Sequence, residues 1–345
     1  IYMDKKIVVA FLVILLLGGI LIYTIGERTV TTVGQENEST ESEVLPSTEA
    51  EDPVDEVAAS PEYLKDGEYV TTVKECSIEI PGVKKKYHFL YLSDMHILVM
   101  SDEVAANDRG TVQSRMQELG HDGHSSTEIF GQIISNANQA GLDGVLLGGD
   151  IIDFLSIANL EWLNDNLERL EAPSMLVTAD HDLTCWWTGY SEEEQKELRE
   201  QLPYEPLQVM DYHEFLIVGI SNTTSPIQEE VVKQLKDIFA LGKPVIIVQH
   251  VPIASVVDNE LKEKSREAWN GKALLWGEDC SYEADGTTQE YLNMINDPES
   301  PVVAVLAGHL HFEYEGRIND KVKQYLFSPA YTGEVAYVTV KAPET

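Results

Sequence analysis

Three regimes of hydrophobic and polar positions follow one another along this chain. An uncharged apolar run extends from Ile7 to Ile25, behind Asp4-Lys5-Lys6. Its length suits a helix that crosses a bilayer, and lysines on its N-terminal side place that end in the cytoplasm. Residues 27–61 are then polar and acidic, with no aromatic residue, as in the stretch ENESTESEVLPSTEAEDPVDE. Such a segment buries too little surface to offset its ordering entropy, so an extended, disordered acidic tether is expected. From residue 62 to residue 345 apolar runs alternate with segments of helical period, the pattern of a globular domain. The expected organisation is a transmembrane signal-anchor at 1–26, the tether at 27–61 and one globular domain at 62–345.

Within that domain several helix starts are legible. Ser125-x-x-Glu128 reads as a capping box before Ile129, Phe130, Ile133, Ile134 and Ala137 on one face. Ser156 opens a second segment with Ile157, Leu160, Leu163, Leu167 and Leu170 in register, and Ser225-Pro226 opens a third that ends near Gly242. Five short apolar runs end instead on a metal-binding type of residue: FLYLSD at Asp94, VLLGGD at Asp150, MLVTAD at Asp180, VIIVQH at His250 and VAVLAGH at His309. Continuous runs of this length suit strands covered on both faces, and sites in α/β sheets form beyond the carboxyl ends of strands. The fold class is therefore α/β, with these ends gathered on one rim.

Composition narrows the partners. The chain has 345 residues, with 59 Asp+Glu against 24 Lys+Arg and a formal charge of -35. A surface of that sign repels nucleic-acid backbones, so no nucleic-acid partner is expected. The three cysteines, Cys76, Cys185 and Cys280, give no disulfide framework and no zinc knuckle, although Cys185 with Cys280 is one pairing open outside the cell.

The polar ends carry the chemistry. Asp94, His96, Asp150, Asp180, His250, His309 and His311 mix carboxylate oxygen with imidazole nitrogen, a donor set for Mn, Fe, Zn or Ni. One ion needs three or four protein ligands, so this many donors imply two divalent ions. In Asp94-x-His96 and His309-x-His311, locally extended backbone would point both side chains the same way. Gly149 and Gly308 would let backbone approach the ions. A paired site of this kind activates a water as hydroxide and holds the attacking and leaving oxygens of an in-line displacement at phosphorus. Arg109, Arg115, His121 and His124 lie in a long polar segment after His96 and are candidates to touch a phosphate, with a solvated loop as the plain alternative. Trp186, Trp187, Trp269 and Trp276 are read as packing residues, with stacking on a base or sugar as the alternative.

The ordered blocks D-x-H, G-D-x-x-D, x-D-H-D, H and G-H-x-H resemble those of the calcineurin-like metallophosphoesterase superfamily, from about residue 86 to the C-terminus. The resemblance implies an α/β/β/α sandwich of two mixed sheets flanked by helices, and hydrolysis of a phosphomonoester or phosphodiester. It implies that Asp94, His96 and His311 hold one ion and that Asp180, His250 and His309 hold the other. Asp150 would bridge them. His181 would serve the leaving group, oriented by Asp153, and Asp182 would brace its loop. One departure stands out: the family asparagine is Asp180 here. A third carboxylate would lower the acidity of the shared water, or leave a metal-binding sensor without turnover. With the N-terminal anchor, these implications place a phosphate-ester hydrolase at the cell membrane in a single pass, its domain outside the cytoplasm.

Overall fold

The computed structural model describes residues 59–344, apart from 66, 71, 224 and 285, together with the backbone of Ile22–Thr24. The first elements are β1 (Ile22–Thr24), β2 (Thr72–Glu79), β3 (Tyr87–Leu92), α1 (Arg109–Glu118), β4 (Gly120–His121), β5 (His124–Ser125) and α2 (Ser126–Gln139). Then come β6 (Gly144–Gly148), α3 (Ile157–Leu167), β7 (Ser174–Val177), α4 (Asp180–Leu183), α5 (Glu192–Arg199), β8 (Leu207–Asp211) and β9 (Leu216–Ile220). The remainder is α6 (Glu229–Phe239), β10 (Val245–Val248), α7 (Glu260–Ala268), α8 (Gly286–Asn296), β11 (Val302–Ala307), β12 (Tyr314–Arg317), β13 (Lys323–Leu326) and β14 (Glu334–Lys341).

The long strands form two mixed sheets, ordered β1-β8-β9-β10-β11-β13-β12 and β2-β14-β3-β6-β7. Side chains alternate across each strand, and here both faces meet apolar layers. Leu146 joins Phe89, Tyr91 and Met175 against Ile217, Ile246, Val248 and Leu306 of the facing sheet. Its neighbours Val145 and Leu147 point the other way, onto Ile129, Phe130 and Ile133 of α2. Val218, Ile247 and Val305 likewise meet Leu235 and Ile238 of α6 and Tyr291 of α8. The result is the α/β/β/α layering. Each fully buried aliphatic side chain contributes about 1.5–3 kcal/mol, which is why both faces of these strands stay apolar and the polar residues fall at their ends.

α2 starts as the sequence indicates: Ser125 and Glu128 form the reciprocal capping box. Ser156 caps α3 through the Asn159 amide. α6 begins later than Ser225, at Glu229, because Ile227 is buried and its N–H is taken by Thr288 Oγ1 at 2.9 Å. The polar segment after His96 is not simply a loop. It contains α1, whose buried Val112 packs with Leu98, Leu119 and Phe154. All three cysteines are free; Cys185 packs under α2 and α3, and Cys280 packs beside Leu275 and Leu310.

The expected anchor needs correction at its C-terminal end. Ile22–Thr24 is a strand that runs parallel to Leu207–Asp211, not the last turn of a helix. Among the described residues no helix is long and apolar enough to cross a membrane. Residues 1–21, and all of the expected tether up to residue 58, lie outside the described residues.

Candidate metal centre

β3, β6 and β7 are parallel neighbours in one sheet, and β10 and β11 are parallel neighbours in the other. Their C-terminal ends are tied together by backbone hydrogen bonds. Asp94 N–H donates to Gly149 O at 2.9 Å, His96 N–H to Asp150 O at 3.0 Å and Gly308 N–H to His250 O at 3.0 Å. Across the sheets, His309 N–H donates to the Asp94 carboxylate at 3.1 Å. The backbone here is not extended, as the alternation argument assumed. Asp94, His96, Asp150, His309 and His311 have φ values of 53°, 47°, 52°, 72° and 54°. These left-handed turns, rather than strand alternation, aim the side chains inward. The conformation is strained for non-glycine residues and clusters at functional sites.

Three donor groups result among the described residues, one of them His96, Asp153 and His181. Asp94, His96 and His311 bring their ligand atoms within 4.8 Å of one another, and so do Asp150, His250 and His309. The groups adjoin: His250 Nε2 lies 2.9 Å from Asp150 Oδ2 and 3.7 Å from Asp94 Oδ1. Protonation follows from the partners. His250 Nδ1 faces Gly148 O at 2.9 Å, and a carbonyl only accepts, so Nδ1 carries hydrogen and Nε2, once freed of the proton it shares with Asp150, is the atom that would bind an ion. His96 Nδ1 meets Asp153 Oδ1 at 3.0 Å, which assigns its Nε2 in the same way. His96 Nε2 is buried without a hydrogen-bond partner, and His250 Nε2 is buried with only the Asp150 and Asp94 carboxylates beside it. Buried imidazole nitrogens with no other partner than carboxylates fit divalent cations.

The charges agree. Burial disfavours ionisation of Asp94, but His250 and His311 outweigh it and hold this carboxyl well below its usual range. Burial also opposes charge on His250, yet Asp150 and Asp94 hold that imidazole up to about 10. Burial and the neighbouring His250 push His309 down to about 3, so it stands as a neutral donor.

Glycine leaves room for the donors. A Cβ on Gly308 would stand 2.4 Å from Asp94 Oδ2, and one on Gly149, at φ +92°, would stand 2.8 Å from the His250 side chain. Gly308→Ala is expected to cost about 1–3 kcal/mol of stability and to weaken binding at the Asp94 group about 10–100-fold. Calorimetric Mn titration beside a urea melt checks this; unchanged affinity would mean Asp94 shifts without consequence.

Asp153 is the hub on the other side of His96. It is fully buried, and Arg115 from α1 grips it with two N–H groups, one of them Nε at 2.7 Å from Oδ2. His181 Nδ1 lies 3.3 Å from Asp153 Oδ1 and 2.7 Å from the Asp153 carbonyl. That carbonyl fixes hydrogen on Nδ1 and leaves Nε2 free. Burial opposes charge on His181, but Asp153 and Asp150 hold it up to about 9. Its ring sits edge-on to His96, centroids 4.5 Å apart.

Asp182 accepts four backbone N–H groups: Asp150 and Ala179 on Oδ2 at 2.8 and 2.9 Å, and Ile151 and Ile152 on Oδ1 at 2.8 and 3.0 Å. Burial and the Asp150 charge push it up to about 7, against those donors. Asn222 does similar work for the fourth block, accepting the N–H of His250 at 2.7 Å and of Val251 at 3.0 Å. Tyr282 places its hydroxyl 2.9 Å from His309 Nε2. Sequence reasoning missed Asn222 and Tyr282; the end of β9 in Ser221-Asn222 was the one available signal for the first.

Asp180 opens α4 at the rim, and its charge acts on Tyr282, whose hydroxyl faces His309. Other candidates stand elsewhere. Arg115 is committed to Asp153, and Arg109 pairs with Asp102 at the surface. His121 lies against Asp122, and His124 packs on Tyr69. Trp276 is buried, and Trp187 lies beneath Arg115 and against Phe154.

No protein-family model and no curated protein matches the chain. Solved structures do. One is a dimetal phosphatase from Danio rerio, 11% identical at a TM-score of 0.44, with 71% of this chain and 88% of that one covered. Another is the phosphopantetheinyl hydrolase of Mycobacterium tuberculosis, 13% identical at a TM-score of 0.38, covering 71% and 91%. A third is a purple acid phosphatase from yellow lupin (Lupinus luteus) seeds, 13% identical at 0.43, covering 74% of this chain and 46% of that one. This chain is similar to them. What its site can do follows from its own donors.

Proposed function

We propose that this protein is a metallophosphoesterase that hydrolyses a phosphomonoester or phosphodiester with two divalent transition-metal ions, from among Mn, Fe, Zn and Ni. The observation that carries the reading is the adjoining pair of donor groups, with His96 Nε2 buried and unpartnered and His250 Nε2 buried against the Asp150 carboxylate. Asp94, His96 and His311 would hold one ion, and Asp150, His250 and His309 the other, with Asp150 placed to serve both. When bound, the ions supply positive charge to the phosphoryl oxygens and acidify the shared water that attacks phosphorus. His181 Nε2 then gives its proton to the oxygen of the breaking P–O bond, while Asp153 and its carbonyl keep the ring in place. The alternative, a metal-binding sensor without turnover, rests on Asp180 in place of asparagine, and the activity test decides between the two.

Action outside the cytoplasm is proposed from sequence alone. Residues 7–21, behind Lys5 and Lys6, have the length and flank of an export signal, cleaved or retained. Fractionation of cells producing the full chain tests this.

The activity test uses 4-nitrophenyl phosphate, bis(4-nitrophenyl) phosphate and a phenyl phosphate with its poorer leaving group. Chelation is expected to abolish turnover, and Mn to restore it. His181→Gln is expected to lower kcat about 10²–10⁴-fold on the phenyl ester and less on the nitrophenyl esters, with metal content unchanged. Turnover indifferent to chelation sinks the proposal.

A further inference from the structure

Trp186 and Trp187 are adjacent in sequence but differ in what surrounds them. Trp187 lies under the Arg115 guanidinium, 5.1 Å from carbon to ring centroid, and edge-on to Phe154. Its role is packing. Trp186 is 38% exposed, among the few large hydrophobic side chains in contact with solvent. An exposed indole is ordinary when isolated, but this one stands 4.6 Å from the His181 ring, edge to face at 85°. His181 thus meets two rings at near-right angles, His96 and Trp186. The other open imidazoles are flanked by aromatics too: Trp269 and Tyr331 beside His311 at 5.7 and 5.8 Å, and Tyr282 beside His309 at 5.6 Å. Arg115 lies on the same wall as Trp186, yet its charge is committed to Asp153. The wall beyond His181 therefore offers a ring surface rather than a cation.

We propose that Trp186 is the specificity residue for the leaving group, and that the alcohol or phenol released carries an aromatic ring that stacks on this indole. The inference rests on the phosphoesterase reading, because His181 marks the leaving-group side only if it serves that oxygen. Trp186 has the geometry for the task. It is exposed, so a ring can reach it. It is one residue-width from the proton donor, so a ring bonded directly to the ester oxygen, or one sugar away from it, comes within stacking distance. Ring stacking on an exposed aromatic is tolerant of ring type, so it selects a class rather than one compound.

The test separates this assignment from the reading it rests on. Mn-loaded wild type, Trp186→Ala and Trp186→Phe are titrated with 1-naphthylphosphonate and with methylphosphonate, neither of which can be hydrolysed. The wild type is expected to prefer the naphthyl ligand. Trp186→Ala should lose about tenfold of that preference with its methylphosphonate affinity unchanged, and Trp186→Phe should keep most of it. A parallel comparison of kcat/KM for adenosine 5′-monophosphate against ribose 5-phosphate distinguishes a ring one sugar away from one on the ester oxygen. If Trp186→Ala leaves both preferences at the wild-type value, or weakens all ligands equally, the proposal is overturned. If the preference falls as expected but 1-naphthyl phosphate is never hydrolysed, Trp186 remains a contact for aromatic ligands, and the enzymatic reading falls together with the leaving-group role. Hydrolysis with unmoved preferences has the opposite meaning.

Discussion

Asp150→Asn should bind the shared ion about a thousandfold more weakly and lose kcat/KM by at least as much. The substitution keeps shape but removes the charge at the point where the two donor groups meet. Asp150 Oδ1 accepts the His181 N–H at 3.1 Å, and Oδ2 faces His250 Nε2 at 2.9 Å. Its backbone is independently fixed through Asp182 and His96. The fold therefore survives, and the loss falls on cation binding. Unit charges about 4 Å apart interact by about 4 kcal/mol at an effective dielectric of about 20, and each 1.4 kcal/mol is a factor of ten. That exceeds the 10–100-fold typical of an outer partner. Metal analysis and steady-state kinetics check it. A variant that retains two ions and turns over within tenfold of wild type would remove Asp150 from the centre of the site.

Asp182→Ala is expected to be the most destabilising change at the rim. It strips the acceptor from four backbone N–H groups in two separate loops. A buried donor left without a partner costs about 1–3 kcal/mol, and water can enter to satisfy some of the four. A loss of about 4 kcal/mol or more is expected, against total stabilities of about 5–15 kcal/mol for whole domains. Asp182→Asn preserves volume but turns an NH₂ toward N–H donors, so it should fall near the alanine variant rather than near wild type. Urea midpoints of the two variants give the answer. If asparagine restores full stability, hydrogen bonding by the carboxylate is not what holds these loops.

The strand ends were legible because the rule behind them is local. An apolar run covered on both faces must stop where the chain leaves the layers, so the polar residue that follows marks the rim. The capping boxes of α2 and the N-cap of α3 were legible for the same reason, since each is complete within four residues. α1 was not. Its sequence, RGTVQSRMQE, has no apolar stripe, and it is held by one buried valine and by the grip of Arg115 on Asp153. Asn222 and Tyr282 were hidden because their partners lie 28 and 27 residues away, and nothing near either residue announces the contact. Asp180 was placed among the ligands by the strand end at MLVTAD and by the resemblance, and the convergence of side chains could not be read without the left-handed turns. The strand at Ile22–Thr24 illustrates the remaining ambiguity: an apolar run in one dimension does not say whether its end joins a helix or a sheet edge.

Those turns set conformational preference and chemistry against each other. Asp94, His96, Asp150, His309 and His311 each hold a backbone shape that glycine would adopt more easily, at a cost of about 1 kcal/mol apiece. Random drift toward a more heat-resistant chain would thus erode the donors before it touched the sheets. An engineer who ranks substitutions by melting temperature alone would be led to the same five positions. A thermostabilised descendant could keep every layer of this fold and have nothing left with which to grip a cation.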